Sequence, residues 1–372
     1  MKIAFITDSI EANTGWARYS FGLLQALCRL YPDSVDKILV GRHHHQRTHF
    51  HGFEIIPVLP SELESGGLRR YFRALKALII LREILANTDA IHVLAEPYIP
   101  WIYFFLKIFQ KKKFFITAHG THAIRPLDRG LWRFVYRKAY READKIFCVS
   151  HYTESLLKSR VPEAKTVVVN NGVDSAIEKV GKSPVEKNEY ILSVGAFKRR
   201  KGYEISLRAF AKVASDYPKK KYILSGSMGN QAYLTELKEL VRKLHLHEKV
   251  IFRFNVSMKE LAGLYSNADF FVLTPVNVGG SFEGFGLVYL EAGFFGKPSI
   301  GTRNSGAEDA IEDEVTGLLV EQYDVDATAD AMRKLFTDQN LRVKLGKASR
   351  LKSLNQTWEI TTKKYVEIYQ AS

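Results

Sequence analysis

Cysteine is scarce in this 372-residue chain, with only Cys28 and Cys148 present. Two thiols, one in a helical pattern and one in a strand, exclude a disulfide scaffold and suggest a reducing compartment. Long apolar runs are missing too. The longest candidates are broken by Arg82 and Lys107, so none reads as a membrane span. No cleavable leader pattern precedes the first strand, and a cytoplasmic chain is expected. Acid is the third shortage: 40 Asp+Glu face 54 Lys+Arg, a net charge of +14. The imbalance is greater in the first half, where residues 1–179 carry 26 basic against 17 acidic side chains and residues 180–372 carry 28 against 23. Such a balance suits nucleic acid, an anionic membrane surface or a phosphorylated substrate. With no RNA-binding or helix-turn-helix signature beside the charge, nucleic acid is not expected as a partner.

A hydrophobic content of 46% can fill two cores, and the length fits two domains. Lys2–Thr7 reads as a short apolar strand, and Tyr19–Leu30 has helical apolar spacing, the start of a βα unit. Further strands are expected at Ile38–Val40, Ala90–Leu94, Phe114–Thr117, Lys145–Val149 and Thr166–Val169. Polar sequence from Asp174 to Asn188 interrupts the series and reads as a linker. A second series follows near Tyr190–Val194, Lys221–Ser225, Val250–Phe254, Phe270–Thr274, Pro298–Gly301 and Gly317–Val320. Alternation of this kind predicts parallel sheets covered on both faces. Ligands of such sheets sit at the carboxyl ends of the strands.

The most informative stretch is Ser281–Gly296, a glycine-broken loop running into an apolar helix. Gly284 and Gly286 permit close backbone approach and angles a Cβ forbids. A helix opening near Gly286 and Leu287 aims unpaired N–H groups at the loop, and a diphosphate suits them. Glu283 and Glu291, eight residues apart and so about 80° out of phase on a helix, could reach hydroxyls at two heights of an extended ligand. A second stretch, Val194–Gly202, sets Lys198, Arg199, Arg200 and Lys201 between a strand and a helix. Preorganised cations there stabilise a departing diphosphate better than water does, although a solvated basic turn has the same pattern. Thr14-Gly15-Trp16 follows the first strand, the usual place for a phosphate-binding turn.

These segments resemble the retaining, nucleotide-sugar-dependent glycosyltransferases of family 4. The likeness runs in family order from Thr14-Gly15-Trp16-Ala17-Arg18-Tyr19 to Trp358. It implies an α/β chain of the GT-B architecture, two facing Rossmann-like domains with an interdomain cleft. The acceptor-binding domain would comprise residues 1–174, with a C-terminal helix at 357–372 crossing back onto it. The nucleotide-sugar domain would comprise residues 189–356. By resemblance, Glu283 holds donor-sugar hydroxyls, Glu291 the ribose, Lys201 and Arg200 the diphosphate, and His119 the transferred sugar. Gly15, Gly284, Phe285, Gly286 and Leu287 complete the donor site. Ala196 stands where many relatives carry an arginine, and Arg200 is preferred to Arg199 for that contact. The Asn170–Asp174 element takes a structural role at the hinge. Ser225–Ser227, Ile251–Arg253 and Ser305–Glu308 are further donor-side candidates.

The expected function is therefore a retaining hexosyl transfer from a nucleoside diphosphate sugar to an acceptor hydroxyl on a glycan or lipid-linked intermediate. A sugar-nucleotide epimerase of the same fold and a catalytically silent sugar-nucleotide-binding subunit are the alternatives. The family handles the diphosphate with cations and helix dipoles, so no metal cofactor is expected. His43, His44, His45, His49 and His51 lack nearby Cys or acid at ligand spacing and read as a flexible loop. Two stretches bear on the acceptor: Leu68–Leu78, with Arg69, Arg70, Arg73 and Lys76, and Trp101–Phe115, with Lys107 and Lys111–Lys113. Both suit an anionic bilayer surface, and equally a helix covering a sheet.

Overall fold

The computed structural model describes residues 1–11, 15–41, 49–59, 79–174 and 189–372. They divide into two compact units, Met1–Gly172 with Trp358–Ser372, and Val173–Thr357.

The first unit is built on β1 (Ile3–Ile6), β2 (Val35–Gly41), β3 (His49–Phe50), β4 (Phe53–Leu59), β5 (Ala90–Val93), β6 (Lys113–Ala118), β7 (Lys145–Cys148) and β8 (Thr166–Val168). Their order is β3-β4-β2-β1-β5-β6-β7-β8. All pairings are parallel except β3 with β4. Every residue of β1 and β5 is buried, as strands covered on both faces must be. The strands expected in this half are all present.

The hairpin β3–β4 was not foreseen. The sequence predicts a loop at His49 and His51, yet His49 pairs with Glu54 and the turn passes through His51 and Gly52 at φ 48° and 87°. Pro57 masked the second strand in the sequence. Having no N–H to give the ladder, it falls where the β2–β4 register shifts, between the pairs Leu39↔Ile56 and Gly41↔Leu59. His43, His44 and His45 lie outside the described residues, as do Arg69, Arg70, Arg73, Lys76 and the linker beyond Asp174.

The final helix, Trp358–Ala371, belongs to this first unit. Its Trp358 ring fills the space above Gly22, where a Cβ would come within 2.1 Å of the indole nitrogen. Tyr365 hydrogen-bonds Tyr19 and stacks on Phe147 with ring centroids 4.3 Å apart. Tyr369 meets His92 Nδ1 at 2.5 Å, while His92 Nε2 meets Thr117 Oγ1 at 2.9 Å. His92 is wholly enclosed, and burial holds its imidazole well below its ordinary pKa. Cys28 and Cys148 are both buried as free thiols.

The second unit is a six-stranded, all-parallel sheet of β9 (Tyr190–Val194), β10 (Lys221–Gly226), β11 (Val250–Phe254), β12 (Phe271–Val272), β13 (Ser299–Thr302) and β14 (Gly317–Val320). Its order is β11-β10-β9-β12-β13-β14, the doubly wound arrangement in which chain direction across the sheet reverses at the first strand. A crevice opens at that reversal, outside the carboxyl ends of β9 and β12. In the first unit the reversal falls between β1 and β5. Within the second unit, Val173 N–H donates to the Gln356 carbonyl at 2.8 Å, so its two ends run side by side.

Candidate functional site

In the second unit the loop after β9 tightens into a short 3-10 turn, Arg199–Lys201, closed by Gly202 in the left-handed region at φ 64°. Gly202 is required twice over. A Cβ there would also lie 1.8 Å from the Thr274 carbonyl oxygen. Thr274 Oγ1 donates to the Gly202 carbonyl at 2.9 Å and Val276 N–H to the Arg200 carbonyl at 2.9 Å. The loops after β9 and β12 are thereby pinned to each other at the reversal point.

The loop after β12 carries Glu283 into the same place. Its Oε2 accepts from Arg200 at 2.8 Å and from Lys201 at 2.5 Å, and among the described residues no hydrogen bond commits Oε1. Burial pushes the Glu283 carboxyl up, but the two cations overcome it and hold the pKa at about 2. Burial likewise pushes the Lys201 ammonium down, with Glu283 opposing and Arg200 adding to the push. Two cations share one carboxylate, so the cluster keeps a surplus positive charge. Arg199 is turned away: it pairs with Glu236 at 2.5 Å and lies over the Tyr233 ring, 5.1 Å from its centroid.

The glycine loop is held from behind. Gly306 N–H donates to the Glu283 carbonyl at 2.9 Å, and a Cβ on Gly306 would meet the Gly284 oxygen at 2.1 Å. Gly286, at φ 84°, starts the helix Leu287–Phe294 without a side-chain cap. Tyr289 crowds Gly286 and donates to the Leu273 carbonyl at 2.8 Å. Because the helix begins at Leu287, Glu283 stands in the loop before it, and the 80° phase relation to Glu291 does not apply. Glu291 is buried on the helix and accepts from the Tyr265 hydroxyl at 2.8 Å. Phe285, in the loop between Gly284 and Gly286, is buried and packs as a side chain of that loop.

In the first unit, Gly15 opens the helix Gly15–Leu30 at an exposed position, with open space where a Cβ would stand. Thr14 lies outside the described residues. His119 follows β6 and is half-buried. Its Nε2–H donates to the Leu94 carbonyl at 2.8 Å, and its backbone N–H donates to Glu96 Oε1 at 2.7 Å. The Tyr19 ring meets the imidazole edge-on at 4.3 Å. Burial drives the His119 pKa down to about 3 against the pull of the Leu94 carbonyl. The ring is therefore neutral, with Nδ1 as its acceptor nitrogen. Glu96 was missed by the sequence reading. It is 1% exposed, and its other oxygen accepts from Trp16 Nε1 at 2.7 Å, so one carboxylate ties the first helix to His119. The available signal was an acid-proline pair just past a strand end.

A family model described as Glycosyl transferases group 1 matches residues 174–352, and one described as Glycosyltransferase Family 4 matches residues 18–176. The D-inositol 3-phosphate glycosyltransferase of Corynebacterium jeikeium is 31% identical over 183 residues, 48% of this chain and 42% of that protein. The GDP-mannose-dependent alpha-(1-6)-phosphatidylinositol monomannoside mannosyltransferase of Mycolicibacterium smegmatis is 27% identical over 246 residues, 62% of this chain and 63% of that one. The chain thus spans less than two thirds of either relative. HepE of Anabaena, solved in complex with UDP-glucose, covers 100% of both chains with a TM-score of 0.78 at 18% identity. That likeness shows the fold, which is GT-B.

Proposed function

Because the chain belongs to glycosyltransferase family 4, we propose that it moves a sugar from a nucleoside diphosphate sugar to an acceptor hydroxyl with retention of anomeric configuration. The observation that carries the reading is the clamp of Arg200 and Lys201 on Glu283 at the strand reversal. A surplus cation beside a helix start is what a diphosphate needs. As the bond from the anomeric carbon to the diphosphate lengthens, charge grows on the leaving oxygen. Arg200, half-buried, and Lys201, buried, are fixed in advance on Glu283 and stabilise that charge. The free Oε1 of Glu283 accepts from a sugar hydroxyl, and the neutral Nδ1 of His119 accepts from another. The leaving phosphate oxygen takes the acceptor's proton while the acceptor oxygen bonds to the anomeric carbon on the same face. Glu291 holds the ribose. With the phosphate charge met by these groups, the mechanism calls for no metal cofactor.

The HepE complex with UDP-glucose supports a nucleotide-sugar donor. The phosphatidylinositol mannoside acceptor named for the mycobacterial relative supports a lipid-linked acceptor, and with it an anionic membrane surface as partner. Incubation with UDP-, GDP- and ADP-sugars tests the reading. One donor should yield nucleoside diphosphate in step with a glycoside of the donor's own anomeric configuration, read by NMR. Conversion of the donor sugar to its epimer with no acceptor present would replace transfer with epimerisation.

A further inference from the structure

The segment 125–141 lies in the first unit and takes no part in the clamp; it meets the His119 network through the buried Tyr136, whose hydroxyl donates to the Glu96 carbonyl at 3.2 Å, and the turn 129–134 precedes that contact. It carries six cations, Arg125, Arg129, Arg133, Arg137, Lys138 and Arg141, against one acid, Asp128. That acid is already neutralised by Arg160, at 2.7 and 3.0 Å. Between the helices Thr121–Asp128 and Arg133–Glu142 the chain turns through Gly130, at φ 89° with open space around its Cβ position. The turn exposes apolar side chains that a water-facing loop does not need: Leu131 is 94% exposed, Phe134 63% and Trp132 41%. Trp132 lies against Trp101 and Phe104, with ring centroids 6.1 and 6.3 Å apart, and the Arg133 guanidinium sits 4.6 Å from the Phe134 centroid. Beside Phe134 an open groove of about 560 Å³ is lined by Tyr103, Phe104, Val135, Lys107, Lys138 and Glu142. Glu142, its one acid, is tied to Lys107 and Tyr103.

We propose that the turn 129–134 is a membrane anchor, its Leu131, Trp132 and Phe134 entering an anionic phospholipid surface while Arg129, Arg133 and Lys138 meet the phosphates. The pattern fits a bilayer better than a folded partner. A bilayer asks only for apolar side chains at one depth with cations beside them, and tryptophan favours that boundary. A protein partner would have to enclose a leucine that makes almost no contact with its own chain. The anchor deepens the reading of a lipid-linked acceptor, and it is made of other residues than the basic segment 69–76. Hydrophobic insertion survives salt, whereas attraction through cations alone does not.

Flotation of the full chain with vesicles tests it, using equal phosphatidylglycerol and phosphatidylcholine, or phosphatidylcholine alone, and no acceptor lipid. The result is then independent of whether transfer occurs. Wild type should float with the anionic vesicles. The combined variant Leu131→Ser, Trp132→Ser, Phe134→Ser should bind about tenfold or more weakly at both low and high salt. The variant Arg129→Gln, Arg133→Gln, Lys138→Gln should lose the preference for anionic lipid. Trp132→Phe should still float but lose most of the tryptophan quenching by brominated lipid. Equal flotation of wild type and the serine variant overturns the anchor, as does wild type staying behind with anionic vesicles. A self-association dissolved by the serine substitutions, without vesicle binding, would reassign the patch to a second copy of the chain. Nucleoside diphosphate binding by the same variants confirms folding and reports on the donor site separately.

Discussion

The two units share one strand plan and differ in what they place at its reversal. In each, the sheet turns about its first strand, β1 or β9, so the loops after the reversal strands lie at the same end of the sheet. In the second unit those loops bring Arg200, Lys201 and Glu283 into an ion cluster. In the first they bring Trp16 and Glu96 to a neutral histidine held by a carbonyl. Topology decides where such a cluster sits, and the loop residues decide whether it is ionic or neutral and hydrogen-bonded. The ionic site is built on glycines that touch backbone, whereas Gly15 in the first unit stands in open space.

The strongest way to break this comparison is Glu283→Ala. Arg200 and Lys201 would lose their shared partner and the donor sugar an acceptor of its hydroxyl. Turnover at saturating donor should fall roughly a hundred- to a thousandfold. Unaltered turnover would remove the catalytic role of the cluster. His119→Ala should likewise lower turnover more than nucleotide affinity, which steady-state rates set against calorimetric titration would separate.

Gly202→Ala tests the loop itself. It combines a left-handed backbone with a Cβ 1.8 Å from the Thr274 oxygen, and should cost about 2–3 kcal/mol of stability in a urea melt. Gly15→Ala should change stability by about 0.5 kcal/mol or less. Equal effects would mean that the loops after β9 and β12 are not pinned as described.

Lys201→Ala should weaken the nucleoside diphosphate by about ten- to a hundredfold, the worth of a charged hydrogen bond at roughly 1.5–3 kcal/mol. Arg199→Ala should leave affinity unchanged, since its partners are Glu236 and Tyr233. Titration calorimetry on both variants separates the lysine of the clamp from the arginine turned away from it.

The smallest effect is a pH dependence that differs between the units. The pKa of His119 falls from its ordinary 6.5 to about 3 on folding, so its contribution is complete above 6.5 and is lost as pH drops toward 3. His92 shifts in the same direction. The pKa of Glu283 falls from 4.5 to about 2, so its contribution is lost only below about 4.5. His119→Gln keeps a donor for the Leu94 carbonyl but cannot titrate. It should flatten the decline of Tm between pH 6.5 and 4.5, whereas Glu283→Gln should flatten it only below 4.5. Identical profiles would show that neither group carries its assigned linkage.

Much of the fold was legible because period and spacing are local. Apolar runs such as Ile3–Ile6 and Tyr190–Val194 are buried on both sides and could be read as parallel strands without coordinates. The strand of Phe53–Leu59 was hidden by Pro57, whose missing N–H the sheet absorbs with a register shift. The candidate site was legible on the side where motif and chemistry coincide in sequence, at Arg200, Lys201 and Glu283. Glu96 was not, because its partners Trp16 and His119 are 80 and 23 residues away.

By itself the sequence determined the alternation of strands and helices, the scarcity of thiols, the basic balance and the glycine loops, all of which rest on neighbouring residues and their conformational limits. Tertiary structure alone decided which charges meet. It set two cations on one oxygen of Glu283, turned Arg199 outward to Glu236, and fixed the tautomer of His119 on a carbonyl from another strand end. It also left Leu131, Trp132 and Phe134 in water. Such outcomes depend on contacts between segments far apart in the chain and on the loss of water around them, and neither is written in local pattern.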